Sequence, residues 1–366
     1  MSQPRFHALT VARVSPESDG AVAVALAIPP ALRETFRFQP GQFLTLRTRL
    51  HGQEVRRSYS ISCPRSRLEQ AGELEVGIRA VDGGVFSTWA NTELAAGDTL
   101  EAMPPDGRFT VQRPRALHRV GFAAGSGITP VLSILASTLQ EQPDSKFTLV
   151  YGNRRMASVM FNEALQDLKD RYPDRLTLVH VLSRQAQEVP LLEGRIDAPK
   201  VRAVIDALLP VGSMDEVFVC GPEGMIDDTT AALVEAGVPA QRVHAERFTS
   251  GDPVLIADKQ ALAGAAGQKD AQTGDVALTV IADGKRHALR MNANQHVLDV
   301  ALAAGLDLPW SCRGGVCCTC RAKVLEGSVA MDRNFTLEPW ETGKGFVLSC
   351  QARPTSQQLV VSYDER

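Results

Sequence analysis

Leu308-Pro309-Trp310-Ser311-Cys312-Arg313-Gly314-Gly315-Val316-Cys317-Cys318-Thr319-Cys320 sets the terms for reading the whole chain. Cys350 follows alone, thirty residues after Cys320. With Cys318 set aside, the spacing is C-x4-C-x2-C…C, that of one class of [2Fe–2S] cluster. A tight loop can bring three thiolates to two irons, and a distant segment closes the cage. Gly314 and Gly315 let the loop backbone come close and aim N–H groups at the sulfurs, where hydrogen bonds help set the reduction potential. A structural zinc site would more usually show two C-x2-C pairs. A disulfide framework is disfavoured by the odd count of 7 cysteines and by the lack of an apolar stretch behind Met1-Ser2-Gln3-Pro4-Arg5. The candidate metal ligands are Cys312, Cys317, Cys320 and Cys350. Cys318 reads as a small filler outside the cage.

The chain has 366 residues, enough for two or three domains, and 44% of them are hydrophobic. Its net charge of −3 gives no electrostatic case for nucleic acid or a membrane surface. No apolar run approaches the roughly 18 residues that a membrane span needs. A cytoplasmic protein that binds neither nucleic acid nor membrane is expected.

Short alternating runs fill the first third: Leu9 to Val14, Ala21 to Leu26, Phe43 to Leu46, Arg57 to Ser62, Leu74 to Ile78 and Asp98 to Ala102. Turn clusters such as Ser15 to Gly20 and Gln39 to Gln42 separate them. This spacing predicts an antiparallel β-barrel over residues 1–112. Arg57-Ser58-Tyr59-Ser60 would suit a flavin, with a cation for phosphate, a ring for stacking and a hydroxyl for the ring edge. Gly83-Gly84-Val85-Phe86-Ser87 opens a helix with free N–H groups, which suits a pyrophosphate. Taken alone, each has a plain alternative: a tyrosine packed in a strand, and a glycine turn.

The period changes in residues 113–248. Arg119 to Ala124, Lys146 to Gly152, Leu176 to Leu182 and Glu216 to Cys220 read as strands. Val131 to Gln140, Met160 to Arg171, Lys200 to Leu209 and Met225 to Gly237 read as helices. Such alternation predicts an α/β doubly wound parallel sheet, with ligands at the C-terminal strand ends. Gly125-Ser126-Gly127-Ile128-Thr129-Pro130, Tyr151-Gly152-Asn153, Ser183-Arg184 and Cys220-Gly221-Pro222 all fall there. Pro130 is tolerated in a first helical turn and leaves that helix N-terminus open to phosphate. Arg154 with Ser183 and Arg184 suits a 2′-phosphate, which favours NADPH over NADH. Solvated loop charge is the competing account of Arg155, and a small buried residue ending a strand that of Cys220.

These pieces, in this order, resemble the ferredoxin–NADP reductase superfamily with a plant-type ferredoxin fused at the C-terminus. The resemblance rests on R-x-Y-S at Arg57–Ser60, G-G-x-F-S at Gly83–Ser87, G-S-G-I-T-P at Gly125–Pro130, C-G-P at Cys220–Pro222 and the cysteine loop. It implies FAD held along Arg57, Ser58, Tyr59 and Ser60, with Gly83, Gly84 and Ser87 near its phosphates. It implies a nucleotide along Gly125, Ser126, Gly127, Gly221 and Pro222, with Thr129 and Cys220 flanking the nicotinamide. Glu246-Arg247-Phe248 closes that domain, and Phe248 resembles the aromatic cover of the flavin face. Ser60, Cys220 and Phe248 are thus the residues expected nearest the chemistry. Relatives commonly carry a small non-thiol residue where Cys318 stands.

Thr249 to Asp275 is rich in Ala, Gly, Asp, Lys and Gln and predicts a flexible linker. Alternation returns at Val276, with a turn at Asp283-Gly284 and a helix from Val297 to Ala304. That order suits a ferredoxin, an α+β β-grasp domain by the resemblance, over residues 276–366. A nicotinamide gives two electrons as hydride and a [2Fe–2S] cluster takes one, so a flavin must stand between them. An NADPH-dependent reductase serving the di-iron oxygenase subunits of a multicomponent system is expected. Reductases of aromatic or steroid hydroxylases, and a redox-sensing interaction protein, are the alternatives.

Overall fold

The computed structural model describes residues 5–113, 115–248 and 274–365. The expected linker, 249–275, lies outside the described residues except for its last two positions. Two compact units divide the chain. The larger holds two sheets. The smaller holds the C-terminal segment and groups Arg56–Ser58 with it.

The first sheet of the larger unit is antiparallel and six-stranded. Its strands are β1 (His7–Ser18), β2 (Ala21–Ala27), β3 (Phe43–Leu50), β4 (Gln53–Ser60), β5 (Glu73–Arg79) and β6 (Thr99–Ala102), in the order β4-β3-β6-β1-β2-β5. The sequence expectation was a barrel. The two outer strands meet at a single bridge, Ile61 to Val76, rather than along a continuous ladder. β2 is buried on both faces, which its Ala-Val alternation permits, because small side chains let neighbours pack closely on either side. Two short helices lie against this sheet, α1 (Ser66–Ala71) and α2 (Val85–Thr92). α1 has no counterpart in the sequence reading. It ends at Gly72, whose φ of 67° places it in the left-handed C-terminal position that favours glycine.

The second sheet is parallel. It comprises β7 (His118–Ala124), β8 (Lys146–Asn153), β9 (Leu176–Leu182), β10 (Glu216–Gly221) and β11 (Val243–Arg247), in the order β11-β10-β7-β8-β9. The intervening helices are α3 (Ile128–Glu141), α4 (Asn162–Arg171), α5 (Ala198–Leu208) and α6 (Glu223–Glu235). α5 starts two residues before the expected Lys200, because Asp197 caps it by accepting the Lys200 N–H (3.0 Å) and Pro199 fits the first turn. The strand order reverses between β7 and β10, so the crevice between their C-terminal ends is the place where such a sheet takes its ligand.

In the smaller unit the strands are β12 (Val276–Ala282), β13 (Lys285–Met291), β14 (Arg321–Glu326), β15 (Val329–Met331), β16 (Phe346–Leu348), β17 (Ala352–Pro354) and β18 (Gln358–Ser362). The helices are α7 (Val297–Ala303) and α8 (Pro339–Gly343). The main sheet runs β13-β12-β18-β14-β16, with β12 and β18 parallel. Asp283 and Gly284 both take positive φ (50° and 72°) in the tight turn between β12 and β13, as a two-residue hairpin turn demands. Asp364 accepts both of their N–H groups (2.8 and 2.9 Å). Val297, Leu298, Val300 and Ala301 bury one face of α7 in the core with Leu278, Val280 and Val361. No helix among the described residues is long and apolar enough to cross a membrane.

Candidate redox sites

The turn after β7 and the end of β10 press together at the switch point. A Cβ on Gly127 would stand 2.2 Å from the Cys220 carbonyl oxygen and 2.5 Å from its carbon. Only glycine fits there, so the glycine turn of one strand and the Cys220-Gly221-Pro222 exit of the other form one floor. Gly125 takes φ 54° and its carbonyl accepts the Tyr151 hydroxyl (2.9 Å). Thr129 is buried in the first turn of α3 and donates to the Ser126 carbonyl (3.0 Å). No side chain caps α3, but its first N–H, that of Ile128, is taken by the Gly125 and Ser126 carbonyls and Pro130 has none, so few donors remain at this helix start for an anion.

The antiparallel sheet brings Ser60 to this floor. Its hydroxyl donates to Glu246 at 3.1 Å. Glu246 pairs in register with Cys220 across β10 and β11. Burial pushes the Glu246 carboxyl up to about 8, with the Ser60 bond pulling the other way. The Cys220 thiol is fully buried and pushed well above its ordinary value, first by burial and then by Glu246, so it stays a neutral thiol and not a nucleophile. Gly77 was missed by the sequence reading. A Cβ there would stand 2.7 Å from Thr129 and 2.8 Å from Phe161, so this glycine lets β5 approach α3 and α4. A lone glycine within a strand was the available signal.

Arg154 and Arg184 lie side by side at the ends of β8 and β9, where the Arg184 N–H donates to the Arg154 carbonyl (2.8 Å). Both are exposed, and Ser183 stands half-buried beside them. Two cations and a hydroxyl at a strand edge can grip a phosphate. On the flavin side, Gly83 takes φ 73° and leads to Gly84 at the start of α2, a helix that no side chain caps. Ser87 is turned inward: its hydroxyl accepts the Val81 N–H (3.2 Å) and donates to the Gly84 carbonyl (3.4 Å). It shapes a turn in which the Gly84 N–H also donates inward, to the Val81 carbonyl (2.8 Å). Tyr59 packs on Phe86 (5.5 Å between centroids). Arg57 and Ser58 are half-buried on β4. Phe248 is partly exposed at the last described position of its segment.

The cysteine loop meets the needs of a two-iron cluster. Hydrogen-bond contact joins the thiols in two pairs, Cys312 with Cys317 and Cys320 with Cys350. Two pairs of thiols are what two irons require. The Cys312 thiol is drawn down to about 6, first by its bond with Cys317 and then by the N–H groups of Gly314, Val316 and Cys317. The Gly314 N–H reaches the Cys312 sulfur at 3.3 Å. Arg313, Gly315 and Cys318 all take positive φ, and this turns successive N–H groups inward. The Cys318 thiol donates to the Thr336 hydroxyl (3.3 Å). Gln351 also serves the site unannounced by any motif: it donates to the Arg313 carbonyl (2.7 Å) and approaches the Cys350 sulfur (3.6 Å).

Comparison with known proteins agrees with this geometry. A family model described as an oxidoreductase FAD-binding domain matches residues 16–111. An oxidoreductase NAD-binding domain matches 122–231, and a 2Fe-2S iron-sulfur cluster binding domain matches 280–355. The chain is 45% identical over 365 residues to a component of 1,2-phenylacetyl-CoA epoxidase from Escherichia coli K12, covering 99% of this chain and 98% of that one. It is 38% identical to the ferredoxin reductase component of 3-ketosteroid-9-alpha-monooxygenase from Rhodococcus rhodochrous, over 97% of this chain and 96% of that one. In fold it is similar to phthalate dioxygenase reductase, with a TM-score of 0.60, 20% identity and 98% of each chain covered. The chain therefore belongs to the ferredoxin–NADP reductase superfamily, in the group of electron-transfer oxidoreductases that carry a C-terminal [2Fe–2S] ferredoxin domain.

Proposed function

We propose that this reductase passes electrons from NADPH through FAD and the [2Fe–2S] cluster to the di-iron oxygenase subunits of a phenylacetyl-CoA epoxidase, in the cytoplasm. The observation that carries the acceptor is the 45% identity over 99% of the chain to the Escherichia coli epoxidase component. Several stretches, among them Phe147 to Arg154, His244 to Phe248 and Ser328 to Pro339, also resemble the reductase component of ring-1,2-phenylacetyl-CoA epoxidase. FAD, when bound, takes the two electrons of a hydride and releases them singly.

The residues supply position. Thr129 and Cys220 flank the nicotinamide, and Gly127 keeps that floor open. Ser60, bonded to Glu246, meets the edge of the flavin ring, while Arg57, Ser58, Tyr59, Gly83 and Gly84 hold the rest of FAD. Phe248 moves aside for the nicotinamide to stack at near-attack distance. Arg154, Ser183 and Arg184 grip the 2′-phosphate, which supports NADPH over NADH. Cys312, Cys317, Cys320 and Cys350 hold the cluster. The functional domains are 1–112, 113–248 and 276–366, joined by a linker at 249–275 that gives the tethered ferredoxin a high effective concentration at the flavin.

The test is pyridine nucleotide oxidation by the purified protein mixed with phenylacetyl-CoA epoxidase oxygenase subunits. It is run with and without phenylacetyl-CoA, and with NADH in place of NADPH. Substrate-dependent oxidation with epoxide formed in step is expected, and faster with NADPH. A second reading, a steroid hydroxylase reductase, rests on the 38% identity to the ketosteroid monooxygenase component. Brisk dye reduction without coupled epoxidation, together with turnover in a ketosteroid hydroxylase system, would favour it.

A further inference from the structure

Residues 333–336 lie along the cluster loop and lead into α8. The Phe335 N–H donates to the Gly315 carbonyl (3.1 Å) and Thr336 meets the Cys318 sulfur (3.3 Å). A Cβ on Gly315 would stand 3.0 Å from the Arg333 carbonyl. This segment therefore covers part of the outer side of the loop that holds three of the four sulfurs. It also presents large rings to solvent: Trp340 is 57% exposed and Phe335 45% exposed. Large exposed rings on a segment that touches a redox loop at Phe335 mark a surface that takes a partner.

Charge on the same segment is uneven. Asp332 is taken up by Arg353 (2.8 Å) and His296 (2.8 Å). Glu341 is buried and paired with Arg321 (3.0 Å). Glu338 caps α8, accepting the Glu341 N–H. Arg333 and Lys344 are exposed and have no ion-pair partner among the described residues. Lys344 instead lies over the Trp340 ring, 5.0 Å from its centroid. Among the described residues the segment thus carries two exposed cations without ion-pair partners, one of them over the Trp340 ring, and one exposed carboxylate, Glu338, engaged only as a helix cap.

We infer that Trp340, Phe335, Arg333 and Lys344 form the surface on which the electron-accepting oxygenase docks, through an apolar patch rimmed with carboxylates. The inference rests on the function proposed above. An aromatic anchor excludes water and supplies most of the affinity, and flanking cations steer an acidic partner and fix its orientation. The segment adjoins the cluster loop, so a partner seated there comes close to the electron donor.

The test uses the full-length holoprotein and its Trp340→Ala, Arg333→Glu and Lys344→Glu variants. Reduction of the protein's own cluster by NADPH is followed by stopped-flow absorbance, and electron delivery to epoxidase oxygenase subunits is measured over a range of oxygenase and salt concentrations. Trp340→Ala is expected to raise the KM for oxygenase about tenfold, the effect of losing a tryptophan anchor. The charge reversals are expected to slow delivery most at low salt, with the deficit shrinking as salt is added. Reduction of the protein's own cluster stays at the wild-type rate. An unchanged KM in Trp340→Ala overturns the surface. So does slowed internal reduction, which would give this face to the chain's own flavin module, or a loss of self-association by sedimentation, which would give it to a second copy. A wild type that reduces its cluster but passes nothing to this oxygenase overturns the acceptor assignment instead.

Discussion

Glu216→Ala should unfold the nucleotide-binding sheet at markedly lower denaturant than the wild type. Glu216 and Arg119 are fully buried and meet at 3.1 Å. The carboxylate also accepts the N–H groups of Gln112 (2.6 Å) and Arg113 (3.1 Å) and faces His244 (3.3 Å). Removing it leaves a buried guanidinium with only neutral partners, Thr138, Gln142 and the Arg113 carbonyl. Breaking a buried pair from one side costs about 3–5 kcal/mol. Two orphaned N–H groups add about 1 kcal/mol each. Arg119→Met combined with Glu216→Leu removes both charges and keeps most of the volume, so it should lose only about 2 kcal/mol. Urea unfolding of the full chain, followed by flavin release and circular dichroism, gives the comparison. Equal losses in the single and the double variant would refute the charge argument and leave packing as the cause.

The same carboxylate gives a pH dependence. Burial alone would raise its pKa, but the bonds from His244, the Gln112 N–H and Arg119 outweigh burial and hold it below the ordinary carboxylate value. Its folded value is thus lower than its unfolded one. The stability it contributes is fully present above the unfolded value of about 4.5 and is lost as pH falls through the folded value. Glu216→Ala should therefore lose less, relative to wild type, at strongly acid pH than at neutral pH.

Cys312→Ser should abolish electron delivery to the oxygenase and bleach the visible bands of the cluster, yet keep NADPH-driven reduction of dyes. Loss of both activities together would undo the separation of flavin and cluster roles. Arg184→Glu should raise the KM for NADPH at least tenfold and leave that for NADH nearly unchanged, because a like charge would face the 2′-phosphate; equal effects on both would remove Arg184 from phosphate recognition. Gly127→Val should weaken binding of both nucleotides and lower the thermal midpoint, since its Cβ would sit 2.2 Å from the Cys220 carbonyl oxygen. Titration with each nucleotide and a melting curve check it.

Much of the molecule was legible where the signal is local. Leu176 to Leu182 forms a strand over the span its alternation predicts. Helix ends were less legible, because they depend on caps: Asp197 starts α5 early. The barrel is a closure question, and closure rests on one bridge between Ile61 and Val76, which no periodicity within either strand can announce. α1 was invisible because six residues with one buried leucine carry no helical period.

The sequence by itself determined the order of the modules and singled out the candidate cluster ligands. Three of the four cysteines lie within nine residues of one another, and a short loop leaves few ways to arrange them. The alternation of strands and helices likewise constrains the middle sheet before any contact is known. Only the tertiary structure decided that Ser60 bonds Glu246, 186 positions away, that Gly127 lies against the Cys220 backbone, and that Arg119 is neutralised by Glu216, 97 positions away. Each of these contacts joins residues carried on different strands or modules. Their meeting depends on how whole sheets pack, and spacing along the chain holds no record of that packing.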